Sequence, residues 1–375
     1  MMRITWPRVL GVAFVAALFA YAFVFAPQVT RPVAAHQVTR PVSTQDPTVQ
    51  IEAGPPQQFP SAGKKFLGIM TSTGPTDWST LDAFTAAVDV QPSVYEFSQG
   101  WAVNQFNKAA LDQVAAKGML PFISWEPWNF DDTAPGAQTE GDQPAYKLSN
   151  ITDGRFDKYI KSWAEGVKGL PYTVAIRFAH EMNGNWYPWG MQDLNKNTPT
   201  QYVAAWRHVH DIFAEVGATN VIWVWSPNVA YAGSSPLAAL YPGDKYVDWI
   251  GLSGYYGTPG LDTYVSFNGI FDQTLKQLKA ITNKPIVITE TGGTNTDGYM
   301  ARFVTQMFQQ LPADHANIIG VIWYEAIKGG VDWRLTTHPT AASAFTKSVA
   351  HDPLYDTSWK PGMIPLETVR QPGGT

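Results

Sequence analysis

The sequence predicts one closed (β/α)8 TIM barrel, a single α/β catalytic domain, and three observations predict it. Short apolar runs alternate with amphipathic stretches eight times within under about 300 residues. Most runs are continuously apolar, as parallel strands covered on both faces require. Each run then ends in a polar or aromatic cluster, and in such a barrel all strand C-termini open onto one face, where catalytic groups gather. A doubly wound dinucleotide fold lacks support, because no GxGxxG follows the first strand.

Residues 1–35 read as a signal peptide or signal-anchor. Arg3 and Arg8 precede an apolar run from Val9 to Ala26 that ends at Pro27, the layout of an export signal. The run sits at the lower limit of a membrane span, which needs about 17–25 residues. Val33-Ala34-Ala35 offers a small-residue cleavage site. Cleavage and anchoring both stay open, and either one exports the rest, secreted or tethered to the membrane. Residues 36–63, rich in Pro, Thr, Val and Gln without helical or strand period, read as a flexible linker.

The catalytic domain is expected over 64–360, with 361–375 as a C-terminal tail. Its strands are FLGIMTS from Phe66, SVYEFSQ from Ser93, LPFISWEPW from Leu120 and TVAIRFAHE from Thr173. NVIWVWSPN from Asn220, VDWIGLSGYY from Val247, PIVITETG from Pro285 and IIGVIWYEA from Ile318 complete the eight. Helical stretches between them include Trp78–Val90, Asn104–Ala116, Arg155–Val167, Thr200–Val216 and Asp272–Ala280. The longest connection, Asn129 to about Asp153, is acidic, but its spacing matches no EF-hand, so a solvated cleft-edge loop is expected.

Composition narrows the partners. A net charge of −5 with no Lys/Arg block argues against nucleic acid, whose phosphates call for a clustered basic face. The absence of cysteine excludes disulfides, zinc–thiolate sites and iron–sulfur clusters. His208 and His210, two apart on a helix, face different sides and form no metal pair. No cofactor or metal is expected, and the chain is expected to be a monomer. Fifteen Trp and sixteen Tyr exceed the needs of a core. A cleft of flat apolar faces with hydrogen-bonding edges would use them, and such a cleft suits sugar rings.

Hydrolysis of a glycosidic bond with retention needs two carboxyl groups about 5–5.5 Å apart, one protonated and one ionised. Strand parity puts Arg177, Ala179 and Glu181 on one face of strand four, and Ile286, Ile288 and Glu290 on one face of strand seven. Both glutamates end their strands, where an inward side chain leaves the packed barrel. Apolar neighbours such as Trp186 and the charge of Glu290 would keep Glu181 protonated.

The runs RFAHEMNGNWYPWG (Arg177–Gly190), WIGLSGYY (Trp249–Tyr256) and ITETGG (Ile288–Gly293) resemble glycoside hydrolase family 26, a retaining (β/α)8 family. The likeness covers roughly residues 66–336. It implies Glu181 as acid/base, Glu290 as nucleophile, Tyr255 as a donor to Glu290, and His180 as a sugar contact, reached if the strand twists at its end. Arg177 is expected to hold a carboxylate or to make a structural salt bridge, and Tyr256 to point away. Trp323 resembles the tryptophan platform beneath the cleaved sugar. Trp125, Trp128, Trp186, Trp189 and Trp225 are further platform candidates, at least two of them packing residues, and Glu126 is a third cleft carboxylate.

The family includes β-mannanases, β-1,3-1,4-glucanases and β-1,3-xylanases. SWEPW, where mannanases more often carry a histidine, and WYPWG instead of WFWWG lean toward β-1,3-1,4- or β-1,4-glucan as the substrate, with mannan as the alternative. The family resemblance carries the expectation of endo-acting cleavage. An inert sugar-binding accessory to polysaccharide synthesis or export is the reading from another class.

Overall fold

A computed structural model of the chain describes residues 57–367 apart from 130–141, 192–194, 258–263, 296–297, 329, 351 and 357. The export segment and nearly all of the linker therefore lie outside the described residues. So does the acidic core of the long connection after strand three.

Eight parallel strands form the barrel. They are β1 (Lys65–Met70), β2 (Val94–Gly100), β3 (Leu120–Glu126), β4 (Val174–Phe178), β5 (Val221–Trp225), β6 (Trp249–Ser253), β7 (Ile286–Thr291) and β8 (Ile318–Tyr324). Each pairs with the next, and β8 closes on β1 with Phe66 opposite Gly320 and Met70 opposite Tyr324. One helix from each connection packs outside: α1 (Ser79–Val88), α2 (Lys108–Ala116), α3 (Asp157–Lys168), α4 (Pro199–Val216), α5 (Leu237–Leu240), α6 (Phe267–Ile281), α7 (Met300–Asp314) and α8 (Pro339–Val349). All eight predicted strands are present, with ends moved by a few residues.

Local chemistry explains why the helices start and stop where they do. Thr198 caps α4 in a reciprocal box with Gln201, Pro199 supplies a preset φ at the first helical position, and Gly217 ends the helix at φ +81. Asn107 accepts from the Ala110 amide at the start of α2, and Ser266 from Gly269 at the start of α6. On α4, His208 meets Asp157 of α3 at 2.7 Å while His210 packs on Trp223 and Tyr246, so the two do diverge.

The barrel base is plugged by aromatic rings. Phe66 stacks on Phe59 (5.5 Å) and on Trp249 (5.9 Å), and Trp249 Nε1 donates to the Leu366 carbonyl at 2.9 Å. Gly320 is obligatory beside this plug, because a Cβ there would lie 2.4 Å from the Phe66 ring. Gln58–Phe59 pairs in parallel with Ile364–Pro365, so segments assigned to linker and tail from sequence contribute to the base of the domain.

At the opposite end, Ile327–Lys328 and Val331–Asp332 form a small antiparallel hairpin just beyond β8. Among the described residues, no helix is long and apolar enough to cross a membrane.

Candidate active site

The site begins in the packed layer beneath the cleft, where serines replace apolar side chains. Arg177 of β4 is fully buried and donates through Nε to Ser226 Oγ (2.9 Å), through Nη1 to Ser124 Oγ (3.0 Å) and through Nη2 to Ser253 Oγ (2.6 Å). Three strands thus hold one guanidinium. Nη1 also donates to Glu290 Oε1 and, at 3.2 Å, to Glu96 Oε1 of β2. Arg177 thus meets two carboxyl groups at once, Glu290 on the cleft side and the fully buried Glu96, so both arrangements expected of it are present in one side chain.

Glu290 sits where β7 departs from strict alternation. The register with β6 runs from Leu252 opposite Ile288 to Ser253 opposite Glu290, so Thr289 is the extra residue of a bulge. Thr289 Oγ1 meets Ser226 Oγ at 2.8 Å in the barrel interior, and the next side chain, Glu290, also reaches the site. Simple parity therefore does not account for Glu290; the bulge does. Its Oε2 accepts from the Tyr255 hydroxyl, as expected. Burial pushes the Glu290 pKa upward, yet Arg177, Lys328 and the Tyr255 hydroxyl outweigh it and leave the carboxyl below the ordinary glutamate range. Tyr256 turns the other way and stacks on Phe303 of α7 at 5.2 Å.

Glu181 follows a sharp bend. β4 ends at Phe178, and both Ala179 (φ +44) and Glu181 (φ +54) adopt left-handed backbone, which side chains other than glycine rarely do. The Ala179 carbonyl accepts from Tyr202 of α4 at 3.1 Å, and the Glu181 amide donates to the Ser226 carbonyl at 2.7 Å. This is the strand-end twist the histidine required. His180 is brought to 3.9 Å from Glu290 Oε1 and 3.3 Å from the Tyr187 hydroxyl. Burial first, then Arg177 and Lys328, hold its pKa well below the ordinary histidine value, so the imidazole is neutral.

The Glu181 carboxyl accepts from Asn228 Nδ2 at Oε1 and from Trp186 Nε1 at Oε2, both at 2.9 Å. Burial and the charge of Glu290 raise its pKa, while Arg177, Asn228 and Lys328 oppose the rise. The two pKa values thus move in opposite directions, Glu181 toward the protonated form and Glu290 toward the ionised one.

The aromatic candidates separate sharply. Trp186 is half-buried and stacks with the exposed Tyr231 at 6.1 Å, giving a platform beside Glu181. Trp128 donates to Glu126 Oε2 at 2.8 Å and stands edge-on to Tyr187 at 5.2 Å. Glu126 is buried at the end of β3 with its pKa pushed up to about 7, by burial before the charge of Glu290, against hydrogen bonds from Ser98 and Trp128. Trp189 is fully buried, stacked on Tyr187 at 4.5 Å, and supports the cleft wall from behind through Nε1 to the His180 carbonyl.

Three expectations need correction. Trp125 points outward, opposite to its neighbours Ser124 and Glu126, and packs on Trp163 of α3 and Phe213 of α4. Trp225 is fully buried against Tyr241 at 5.1 Å, while the following Ser226 faces the interior. Trp323 is almost fully buried, edge-on to Phe345 of α8, with Nε1 donating to the Trp333 carbonyl at 3.1 Å. Strand parity explains the last case: Gly320 faces the Phe66 ring inside, so Trp323 faces the helices. The rings that reach Tyr255 are Tyr324 (6.0 Å) and Trp333 (4.8 Å).

Sequence reasoning missed Glu96, Ser124, Ser226, Ser253, Asn228 and Lys328. Lone polar residues within otherwise apolar strand runs were the available signal for Glu96 and Ser124. Lys328 carried none, since its hairpin is too short to show a period.

With this geometry in view, the family model described as Glycosyl hydrolase family 26 matches residues 125–330, which include both glutamates and the Arg177, His180, Trp186, Asn228 and Tyr255 side chains that meet them. The chain belongs to glycosyl hydrolase family 26. Among curated relatives of this family 26 protein, Endoglucanase H of Acetivibrio thermocellus is 31% identical over 278 residues, covering 70% of this chain and 29% of that protein. The mannan endo-1,4-beta-mannosidase of Bacillus subtilis strain 168 is 27% identical over 254 residues, covering 62% of this chain and 66% of that protein. The chain therefore spans less than a third of Endoglucanase H and just under two thirds of the mannosidase. Among solved structures, the catalytic domain of Bacillus sp. JAMB-750 GH26 endo-beta-1,4-mannanase aligns with a TM-score of 0.60 at 18% identity, covering 81% of this chain and 91% of that one. GH26C from Muricauda sp. aligns with a TM-score of 0.60 at 16% identity, over 78% and 87% of the two chains. At these identities the structures bear on the barrel alone.

Proposed function

We propose that this family 26 member is a retaining, endo-acting glycoside hydrolase that cleaves a β-linked polysaccharide by double displacement. The observation that carries the reading is the opposed environment of two glutamates in one cleft. Glu290, ionised by Arg177 and Tyr255, attacks the anomeric carbon, and Glu181 gives its proton to the departing glycosidic oxygen. Glu290 is then an uncharged ester. The charge that raised Glu181 has gone, and the Asn228 and Trp186 N–H groups stabilise the carboxylate it has become. Glu181 now accepts a proton from water, whose oxygen attacks the same carbon and releases Glu290.

For the substrate, β-1,3-1,4- or β-1,4-glucan is the first reading, supported by the SWEPW and WYPWG segments and by the likeness to a protein named Endoglucanase H. Mannan is the second, supported by the relatives named mannan endo-1,4-beta-mannosidase. Barley β-glucan, lichenan, mannan and β-1,3-xylan, offered to the full chain with product sizing, test both readings. New reducing ends on a glucan, with a ladder of oligosaccharides, are the expected result. Turnover on mannan alone replaces the first substrate by the second. Binding without new reducing ends on all four overturns the hydrolase reading in favour of an inert binder.

The N-terminal reading also enters as a proposal, resting on Arg3, Arg8 and the Val9–Ala26 run: the protein acts outside the cytoplasmic membrane, released or tethered. Fractionation of cells expressing the full chain tests it, and retention in the cytosol would overturn it.

A further inference from the structure

Glu96 is a fully buried acid that the double-displacement chemistry does not use. It stands on β2, across the barrel from the bulge that carries Glu290, and it shares Arg177 Nη1 with the nucleophile. Its Oε1 accepts from Ser124 Oγ at 2.6 Å as well, and Ser124 in turn accepts from the same Nη1. Glu96, Ser124 and Arg177 therefore close a three-membered ring of hydrogen bonds beneath the cleft. Glu96 Oε2 is buried with no hydrogen-bond partner among the described residues.

An acid in this place is costly unless it has a task. A buried carboxyl with one oxygen unpaired costs the fold stability even when it is neutral. A salt bridge made solely to stabilise the barrel also gains nothing from competing with Glu290 for one guanidinium. We propose that Glu96 is a positioning residue for the nucleophile: it anchors Arg177 from below, through Nη1 and Ser124, so that the guanidinium stands at the height where it meets Glu290. The inference rests on the reading of Glu290 as nucleophile.

The charge state fits an anchor better than a counter-ion. Burial pushes the Glu96 pKa up to about 8; Arg177 opposes the rise, Glu290 adds to it, and the hydrogen bonds from Ser124 and Arg177 oppose it. At neutral pH Glu96 thus holds its proton, and the positive charge of Arg177 is left to Glu290. An ionised Glu96 would instead draw on that charge and weaken the hold on the nucleophile. The other groups that face Glu290 are Tyr255 from the β6 end, His180 and Glu181 from the β4 end with Tyr187 beyond them, Glu126 and Tyr324 from the β3 and β8 ends, and Lys328 from the hairpin. None of them hydrogen-bonds to Arg177, whose partners are Glu290, Glu96 and the three serines.

Two substitutions in the full chain test this on whichever polysaccharide the panel identifies. Glu96→Gln keeps the shape and the neutral charge, and is expected to retain kcat within about threefold, with an unchanged acidic limb in the pH profile of kcat/KM. Glu96→Ala frees Nη1, and is expected to lower kcat by roughly 10²-fold with KM nearly unchanged, an effect confined to the transition state. Its acidic limb should also move to higher pH. Wild-type kcat and acidic limb in a folded Glu96→Ala would overturn the proposal. So would a Glu96→Gln as impaired as Glu96→Ala, because the anchor would then have to be an anion. Should Glu96→Ala not fold, Ser124→Ala carries the same expectation in milder form, about tenfold in kcat with the same shift of the acidic limb, and an unmoved limb there would overturn the proposal. Glu290→Ala in the same assay separates the two readings: activity that survives it removes the nucleophile assignment, whereas its loss leaves the Glu96 variants to speak for Glu96 alone.

Discussion

Glu181 and Glu290 are the same residue, equally removed from water, in one cleft, and their acidities move in opposite directions. The difference lies in what each touches. Glu290 rests on a guanidinium fixed by three serines and takes a phenolic hydrogen bond, so positive charge meets it from below. Glu181 stands on a bent strand end and takes two neutral N–H donors, and after burial the charge that moves its pKa most is the other carboxylate. Burial pushes both pKa values upward, and Arg177, Lys328 and the Tyr255 hydroxyl together reverse the push at Glu290 but not at Glu181.

The comparison breaks most visibly if the two are exchanged in their effects. Glu290→Ala is expected to lower kcat by at least about 10⁴-fold, as nucleophile removal does in enzymes that work through covalent intermediates, measured by reducing-end release. Glu181→Ala is expected to cost on the order of 10²–10⁴-fold on polysaccharide. Its Glu290 should still become glycosylated from an activated aryl glycoside, whose leaving group needs no proton, and mass spectrometry of the trapped protein checks this. A trapped ester in Glu290→Ala, or none in Glu181→Ala, would reverse the assignment.

Smaller changes sharpen the contrast. Activity should rise with pH as Glu290 ionises and fall as Glu181 loses its proton, giving a bell-shaped kcat/KM. Tyr255→Phe removes a hydrogen bond to a charged group, a loss of about 1.5–3 kcal/mol, so a fall of roughly 10- to 10²-fold is expected. Without that donor the Glu290 pKa rises, and the acidic limb should move to higher pH while the alkaline limb stays. Asn228→Ala should do the converse: it removes a donor to ionised Glu181, so the alkaline limb moves to higher pH. Lys328→Met is the mildest. Lys328 lowers the pKa of both glutamates, so its removal should carry the whole profile to higher pH, and movement of one limb alone would mean that Lys328 acts on one carboxyl only.

The barrel was legible in the sequence because it follows from period. Both glutamates were legible from their place at strand ends and from the motifs around them, although strict alternation does not aim either one. Eight apolar runs need eight strands, and a polar residue at the end of such a run has the cleft as its outlet. What escaped was anything that breaks alternation. The bulge at Thr289 and the left-handed turn at Ala179 and Glu181 leave no mark in an alternating pattern, yet they aim the two catalytic side chains. The tryptophans were misjudged for the opposite reason. Trp125 and Trp323 do obey parity, with Glu126 and Tyr324 inward and the indoles outward, but a sugar-binding reading favoured the larger ring over the register. Ser226 and Ser253 were silent because a small hydroxyl near a strand end is common, Ser124 stood out only as a lone polar residue, and the guanidinium is what gives the three a shared purpose.

The left-handed turn at Glu181 has one more consequence. An L-residue held at φ +54 gives up roughly 1 kcal/mol that glycine would not. Both Glu181→Gly and Glu181→Ala remove the carboxyl, so Glu181→Gly should be the more stable of the two by about that amount in thermal melts. The carboxyl is thus carried on a backbone angle that costs the fold stability, and the Asn228 and Trp186 donors fix its direction there.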